Sequence, residues 1–299
     1  MMMLMLVDKR YELLKHRIEP HPGAIVAFSG GTDSALLLAA ARDALAGDLT
    51  AVTWQTEVTP DSDIDQAVRL AEQLDVSHRV ICASFLEIEA AAANNTDRCY
   101  HCRRQMYSDM MKVATGSNVV AILEGVNVDD LSDTRPGLEA AREMGIVHPL
   151  LEAGLDKQAV RELARALGLP NWDREAAPCL ASRIAFGRRV TSSRLMRINR
   201  GETFLRERGF RNVRLRLLDD IEARIEVAPE QVPALHADWS AVNSFLCDLD
   251  FARIEIASTG YKMGSMNSEV ASREVASSPR NQAPRNDVER FDGVERENG

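Results

Sequence analysis

The stretch "VAFSGGTDSALLLAAARDAL", residues 26–45, decides the fold, and it reads as strand, glycine turn, helix. Residues 24–28 are apolar and suit a buried strand. Ser29, Gly30 and Gly31 permit a sharp turn and a close approach of backbone to a ligand. Residues 34–45 then give an unbroken apolar helical run that can pack beneath a sheet. Free N–H groups at the start of that helix form an anion site, to which Ser29, Thr32 and Ser34 add hydroxyls. No lysine follows the glycines, so this is not the G-x-x-x-x-G-K-[ST] phosphate loop.

Strand and helix patterns alternate outward from this turn. Strands are expected at 24–28, 49–54, 78–82 and 119–124, and helices at 60–74, 100–114 and 156–167. Such alternation predicts an α/β fold, a doubly wound parallel sheet with helices on both faces. The glycine turn then lies outside the carboxyl ends of the strands, where such sheets bind ligands. After residue 183 the pattern changes to a charged helix (192–208), a hairpin (213–217 and 223–227), a helix (231–246) and a strand (252–257). That is a second, small α+β domain. From 267 onward the chain is polar and without apolar periodicity, which predicts a disordered tail. The expected boundaries are 1–182, 183–267 and 268–299.

Of the 299 residues 45% are hydrophobic, and no run approaches the ~20 apolar residues of a membrane span. The apolar start, residues 1–7, has no basic region before it and reads as the first turn of an amphipathic helix. A cytoplasmic protein with no membrane partner is expected. The formal net charge of −9 disfavours nucleic acid as a partner. The crowding of Arg183, Arg188, Arg189, Arg194, Arg197 and Arg200 leaves room for a local basic groove.

An odd count of five cysteines argues against a disulfide framework. Cys82 and Cys247 lie in apolar runs and are expected to pack in the core. Cys99 and Cys102, three apart in "DRCYHCRR", can reach one metal or cluster. Cys179, in "APCLASR", is a third thiol, with Arg183 placed to lower its pKa. Zinc and iron–sulfur groups both prefer four ligands, and three thiolates leave one iron of a cluster open. By itself the C-x-x-C pair leaves metal binding, redox chemistry and chance all open.

The SGGTDS turn resembles the PP-loop of the ATP pyrophosphatases, the adenine nucleotide alpha-hydrolase-like group. That resemblance implies cleavage of ATP between its α- and β-phosphates, transfer of AMP and release of pyrophosphate. A narrower likeness rests on six motifs in order. They are SGGTDS, "NNTDRCYHCRRQMY", "DTRPGLEAA", "NWDREAAPCLASRI", "GFRNVRLRLLDD" and "GYKMGSMN". Across about residues 8–267 the chain resembles the LarE family of ATP-dependent sulfur transferases. The family adenylates the carboxylates of pyridinium-3,5-dicarboxylic acid mononucleotide and replaces AMP with sulfur, as part of nickel-pincer cofactor synthesis.

The resemblance implies that Ser29, Gly30, Gly31, Asp33 and Ser34 hold ATP, with Asp33 beside Mg²⁺. It makes Cys179 the sulfur-bearing residue. In one branch that cysteine gives up its own sulfur, and that branch lacks the C-x-x-C pair. With Cys99, Cys102 and Cys179 all present, the chain resembles the branch that binds a 4Fe–4S cluster, whose open iron would hold a hydrosulfide. Arg214 and Arg216 share one strand face and suit the substrate's monophosphate. Glu202 matches an acidic residue of the family's substrate site, and Lys262 stands where the family often has Arg. Leu218 replaces a frequent His, and one extra residue lies beside Glu222. Asp130 and Arg135 can orient substrate or cap loops. Sulfide or a sulfur-donor protein and a homo-oligomeric state are also implied. The competing readings are an iron–sulfur tRNA 2-thiolase, an ammonia-using synthetase such as NAD synthetase, and a nucleotide-binding sensor.

Overall fold

The strand ahead of the glycine turn, β1 (Ala24–Ala27), is one of the two inner strands of four parallel strands ordered β3-β2-β1-β4. Its partners are β2 (Leu49–Gln55) and β4 (Ala121–Glu124), and β3 (Ser77–Cys82) is the outer neighbour of β2. Val26 stands opposite Ala51 on one edge and Leu123 on the other; Ala24 and Val26 pack into one core and Ile25 into another, so β1 is apolar on both faces, as a buried parallel strand must be. The structure is a computed structural model that describes residues 2–45, 49–114, 121–132, 136–174 and 178–257, with the backbone alone for 2–8 and 132. Lys262, Arg135 and the tail 268–299 lie outside the described residues.

The connections are helical. They are α1 (Met2–Ile18), α2 (Thr32–Ala44), α3 (Asp61–Gln73), α4 (Glu89–Ala92), α5 (Arg98–Ala114), α6 (Pro136–Glu143), α7 (Pro149–Glu152) and α8 (Lys157–Ala166). One core joins α1, α2 and α8 to the sheet through Leu14, Leu36, Leu37, Leu38, Val160 and Leu163. Each of the three consecutive α2 leucines is fully buried, worth about 2 kcal/mol apiece in transfer terms. A second core covers the other face, with Tyr107 and Met110 of α5 against Ile25, Val52 and Ile122. Helices on both faces are what the alternation predicts.

Beyond Cys179 come a 3₁₀ turn (Leu180–Arg183), α9 (Ser192–Glu207), β5 (Arg214–Leu217), β6 (Glu222–Glu226), α10 (Val232–Ala237), α11 (Trp239–Cys247) and β7 (Arg253–Ile256). Strands β5 and β6 form an antiparallel hairpin, and β7 adds parallel to β6. Their core also takes in Val58, Phe85 and Leu180.

The helix expected at 231–246 is broken at Asp238, which ends α10 and begins α11. Its carboxylate accepts both Nε and Nη2 of Arg208, so this residue is spent on a cross-link rather than on continuing a helix. Cys82 and Cys247 are exposed rather than packed in the core. The first ends the outermost described strand, paired with β2 on one edge only, and the second is the last residue of α11, where Leu246 takes the buried side. The arginine crowd does not make one open basic groove either. Arg183 is buried against Glu202, Arg189 pairs with Glu89, Arg194 with Asp220, and Arg197 donates to three backbone carbonyls.

Candidate active site

The glycine turn is built for close quarters. Gly30 has φ of +71°, and a Cβ there would meet the backbone N of Ala67 in α3 at 3.0 Å. Gly30 is therefore required by both conformation and space. Ser29 and Ser34 face each other across the turn, Oγ to Oγ 3.2 Å, and Gly31 begins α2 in extended conformation with no side-chain cap. The first amides of α2 thus lack a capping side chain and suit an anion. Gly125, just after β4, presses on the same turn: a Cβ there would meet Asp33 C and Ser34 N, each at 3.0 Å.

Asp33 carries the charge of the loop. Its Oδ1 accepts from Asn127 Nδ2 at 3.0 Å and its Oδ2 pairs with Lys157 Nζ. Lys157 opens α8, whose N-cap Asp156 accepts from Ala159 N at 2.7 Å. The cation absent from the loop itself is thus supplied from 124 residues away. Asp130, read as substrate-orienting or loop-capping, accepts from Asn127 N at 3.0 Å, and Asp129 accepts from Lys157 N at 2.9 Å. Both carboxylates thus bond loop and helix-start amides that border Asp33.

A second segment, residues 171–174, is stitched to the turn. Thr32 Oγ1 donates to Asn171 O at 2.7 Å, and Asn171 Nδ2 donates to Gly30 O at 2.9 Å. Arg174 reaches Gly30 O at 3.5 Å and Asp63 at 2.7 Å. Arg174 is five residues before Cys179, so chain geometry keeps their Cα atoms within about 18 Å.

The three cysteines of interest lie near one another. Burial pushes the Cys102 thiol up to about 12, and Cys179 and then Cys99 add to that rise through their own charge. Cys102 and Cys179 also pack on one apolar core. Arg98 bridges the two segments, donating Nη1 to Ala181 O at 3.0 Å while its Nη2 lies 4.0 Å from Cys99 Sγ. It is anchored by Asn94, whose Oδ1 accepts from it at 2.6 Å. Asn94, fully buried at φ +61°, donates Nδ2 to the carbonyls of Ile184, Ala185 and Arg188. His101 turns away and pairs with Asp97 at 3.1 Å. Among the described residues no group of three or more His, Cys, Asp or Glu side chains is drawn together closely enough to hold a metal ion.

A polar cluster at the end of β4 adjoins the cysteine helix. Glu124 pairs with Arg103 and accepts from Tyr107 at 2.8 Å. His148 Nδ1 lies 3.8 Å from Glu124 Oε2, yet burial and the Arg103 guanidinium drive its pKa down to about 4. The carboxylate is already taken by Arg103 and Tyr107, so it does not hold a proton on the imidazole.

The expected substrate residues are deeply placed. Glu202 is fully buried, accepting from Arg183, from Arg206 and from Leu215 N. Arg214 and Arg216 are 7% and 6% exposed. Arg216 donates to Glu226 at 3.1 Å and to Ser182 O at 2.8 Å.

The comparisons with known proteins decide the family. The asparagine synthase family model matches residues 23–115, the span from β1 through α5. A pyridinium-3,5-bisthiocarboxylic acid mononucleotide synthase of Lactiplantibacillus plantarum is 34% identical over 84% of this chain and 91% of its own length. The chain belongs to the LarE family. An uncharacterized Synechocystis protein is 32% identical over 88% of this chain and 98% of its own. The solved NMN synthetase of Francisella tularensis aligns at 20% identity and a TM-score of 0.48, covering 57% of this chain and 75% of that one. As a LarE protein the chain is an ATP-dependent sulfur transferase of the PP-loop group.

Sequence reasoning missed Lys157, Asn127 and Asn94. Lys157 carried a signal, since it follows the Asp156 helix cap at the start of a strongly amphipathic helix. Nothing local tells that its ammonium meets Asp33.

Proposed function

We propose that this LarE protein adenylates the carboxylates of pyridinium-3,5-dicarboxylic acid mononucleotide and converts them to thiocarboxylates. The observation that supports the reading is that Cys102 and Cys179 share one apolar core, Arg98 beside Cys99 bonds Ala181 O, and the stretch ahead of Cys179 is bonded through Asn171 to a glycine turn of PP-loop type. A carboxylate is a poor electrophile. Its oxygen attacks the α-phosphorus, the α–β bridging bond breaks and pyrophosphate leaves. The acyl adenylate then meets a soft sulfur nucleophile, the carbon–sulfur bond forms and AMP departs. Repetition on the second carboxylate completes the product.

In this reading the α2 amides, Ser29, Ser34 and Lys157 hold the β- and γ-phosphates. ATP would draw Lys157 from Asp33, freeing the carboxylate for Mg²⁺. Arg214, Arg216 and Lys262 would receive the substrate phosphate, with Arg216 exchanging Ser182 O or Glu226 for it. Glu202 acts at a distance. The soft sulfur donors of Cys99, Cys102 and Cys179 would suit a 4Fe–4S cluster with one open iron once the three thiols close on it. When bound, such a cluster supplies a replaceable sulfur ligand, fed by sulfide or a donor protein. Work in the cytoplasm as a homo-oligomer completes the proposal.

The test is pyrophosphate release by anaerobically purified protein. Release that depends on the pyridinium dicarboxylate supports the reading. Release that depends instead on tRNA sinks it in favour of a tRNA thiolase.

A further inference from the structure

The carbonyls of the turn that carries Cys179 are held by guanidiniums. Pro178 O and Cys179 O accept from Arg183 Nη1, at 2.5 and 3.1 Å. Ala181 O accepts from Arg98 and Ser182 O from Arg216. The three guanidiniums come from three places in the chain: α5, the turn itself and β5. A short surface turn would leave such carbonyls to solvent at no cost. Here three charged groups are buried to hold them, an arrangement that stability alone does not favour.

Arg183 is the member that grips the cysteine's own carbonyl. It is 1% exposed, and its Nη1 also meets Ser182 Oγ at 3.0 Å. Its other edge is fixed by Glu202, with Nε to Oε1 at 2.8 Å and Nη2 to Oε2 at 3.1 Å. That fork-to-fork geometry sets the plane of the guanidinium. Glu202 is in turn held by Arg206 at 2.6 Å and by Leu215 N at 3.1 Å, which tie it to α9 and β5. A rigid chain of contacts therefore runs from the second sheet, through Glu202 and Arg183, to the Cys179 backbone.

We propose that Arg183, locked by Glu202, is a positioning residue that sets where Cys179 presents its sulfur. The role rests on the proposed function above, in which Cys179 is one of the three thiols that serve sulfur transfer. It also gives Glu202 a task that needs no contact with substrate.

The test compares the full-length protein with its Arg183→Lys variant by timing iodoacetamide alkylation of each cysteine by mass spectrometry. Lysine keeps the charge but cannot hold Glu202 by a fork and two carbonyls at once. The alkylation rate of Cys179 is expected to change about tenfold or more, while those of exposed Cys82 and Cys247 stay within about twofold. Sulfur transfer should fall about 10²-fold, with pyrophosphate release within about threefold of the parent. An unchanged Cys179 rate, or an equal change at all three cysteines, overturns the proposal. Should Arg183→Lys fail to fold, Ser182→Ala removes one acceptor of the same guanidinium at a half-buried position. It must show the same Cys179-specific change in smaller measure, and no change overturns the proposal. Alkylation needs neither ATP nor substrate. A parent protein inert toward the pyridinium dicarboxylate would therefore sink the proposed function, while a Cys179-specific change would still uphold the clamp.

Discussion

In the proposed function Cys179 and Lys157 divide the chemistry between two residues that share no local signal. In that proposal Cys179→Ala removes one of the three thiols that serve sulfur transfer and leaves the phosphate-binding turn intact. It is expected to abolish thiocarboxylate formation and to leave carboxylate-dependent pyrophosphate release nearly unchanged. Loss of both, with an intact fold, would contradict the assignment. Lys157→Ala should do the reverse at the first step. Removing a preorganised cation from a developing phosphate charge costs about 10²-fold in rate, read as initial velocity of pyrophosphate release. A rate within a factor of about three would remove Lys157 from the phosphate site. At this scale the sequence was legible where chemistry repeats a pattern, as in SGGTDS. It was illegible where function depends on distant partners: Asp33 with Lys157, Glu202 with Arg183. Cys82 and Cys247 show the opposite error, since apolar neighbours do not bury a thiol at the end of an element.

The glycine turn works as an element because β4 and α3 press on it. Gly125 has no positive φ, so Gly125→Ala tests space alone. The new methyl would push on the Asp33–Ser34 backbone at 3.0 Å and tilt the start of α2. Overpacking of this kind costs about 1–3 kcal/mol, and the KM for ATP should rise about tenfold with the melting transition still cooperative. An unchanged KM would show that the turn does not need this support. Periodicity placed most elements within a few residues, because strands alternating with amphipathic helices have few ways to bury their faces. The failures have local causes. Arg208 draws Asp238 out of a helix that the apolar spacing alone would continue. Helices α4 and α7 span four residues each, too short for a 3.6-residue period to register.

The whole molecule should register the buried cluster around Glu124 as a pH dependence of stability. Folding lowers the His148 pKa from 6.5 to about 4, so between these values the unfolded chain binds a proton that the folded chain refuses. This contribution is complete above pH 6.5 and is lost as pH falls through 4. It amounts to about 2 kcal/mol once partial solvent screening is allowed for. Urea midpoints should therefore fall between pH 6.5 and 4 more steeply in the parent than in His148→Gln. Identical slopes would place the imidazole in a more open setting. One sheet and its core carry the PP-loop, and the core of the second sheet takes in Cys102 and Cys179. The most direct test of the proposed function is mass analysis of the pyridinium dicarboxylate after anaerobic incubation with the protein, ATP, Mg²⁺ and sulfide. The account predicts exchange of carboxylate oxygen for sulfur, matched by AMP and pyrophosphate. An unaltered substrate, or ADP and phosphate in their place, would contradict it.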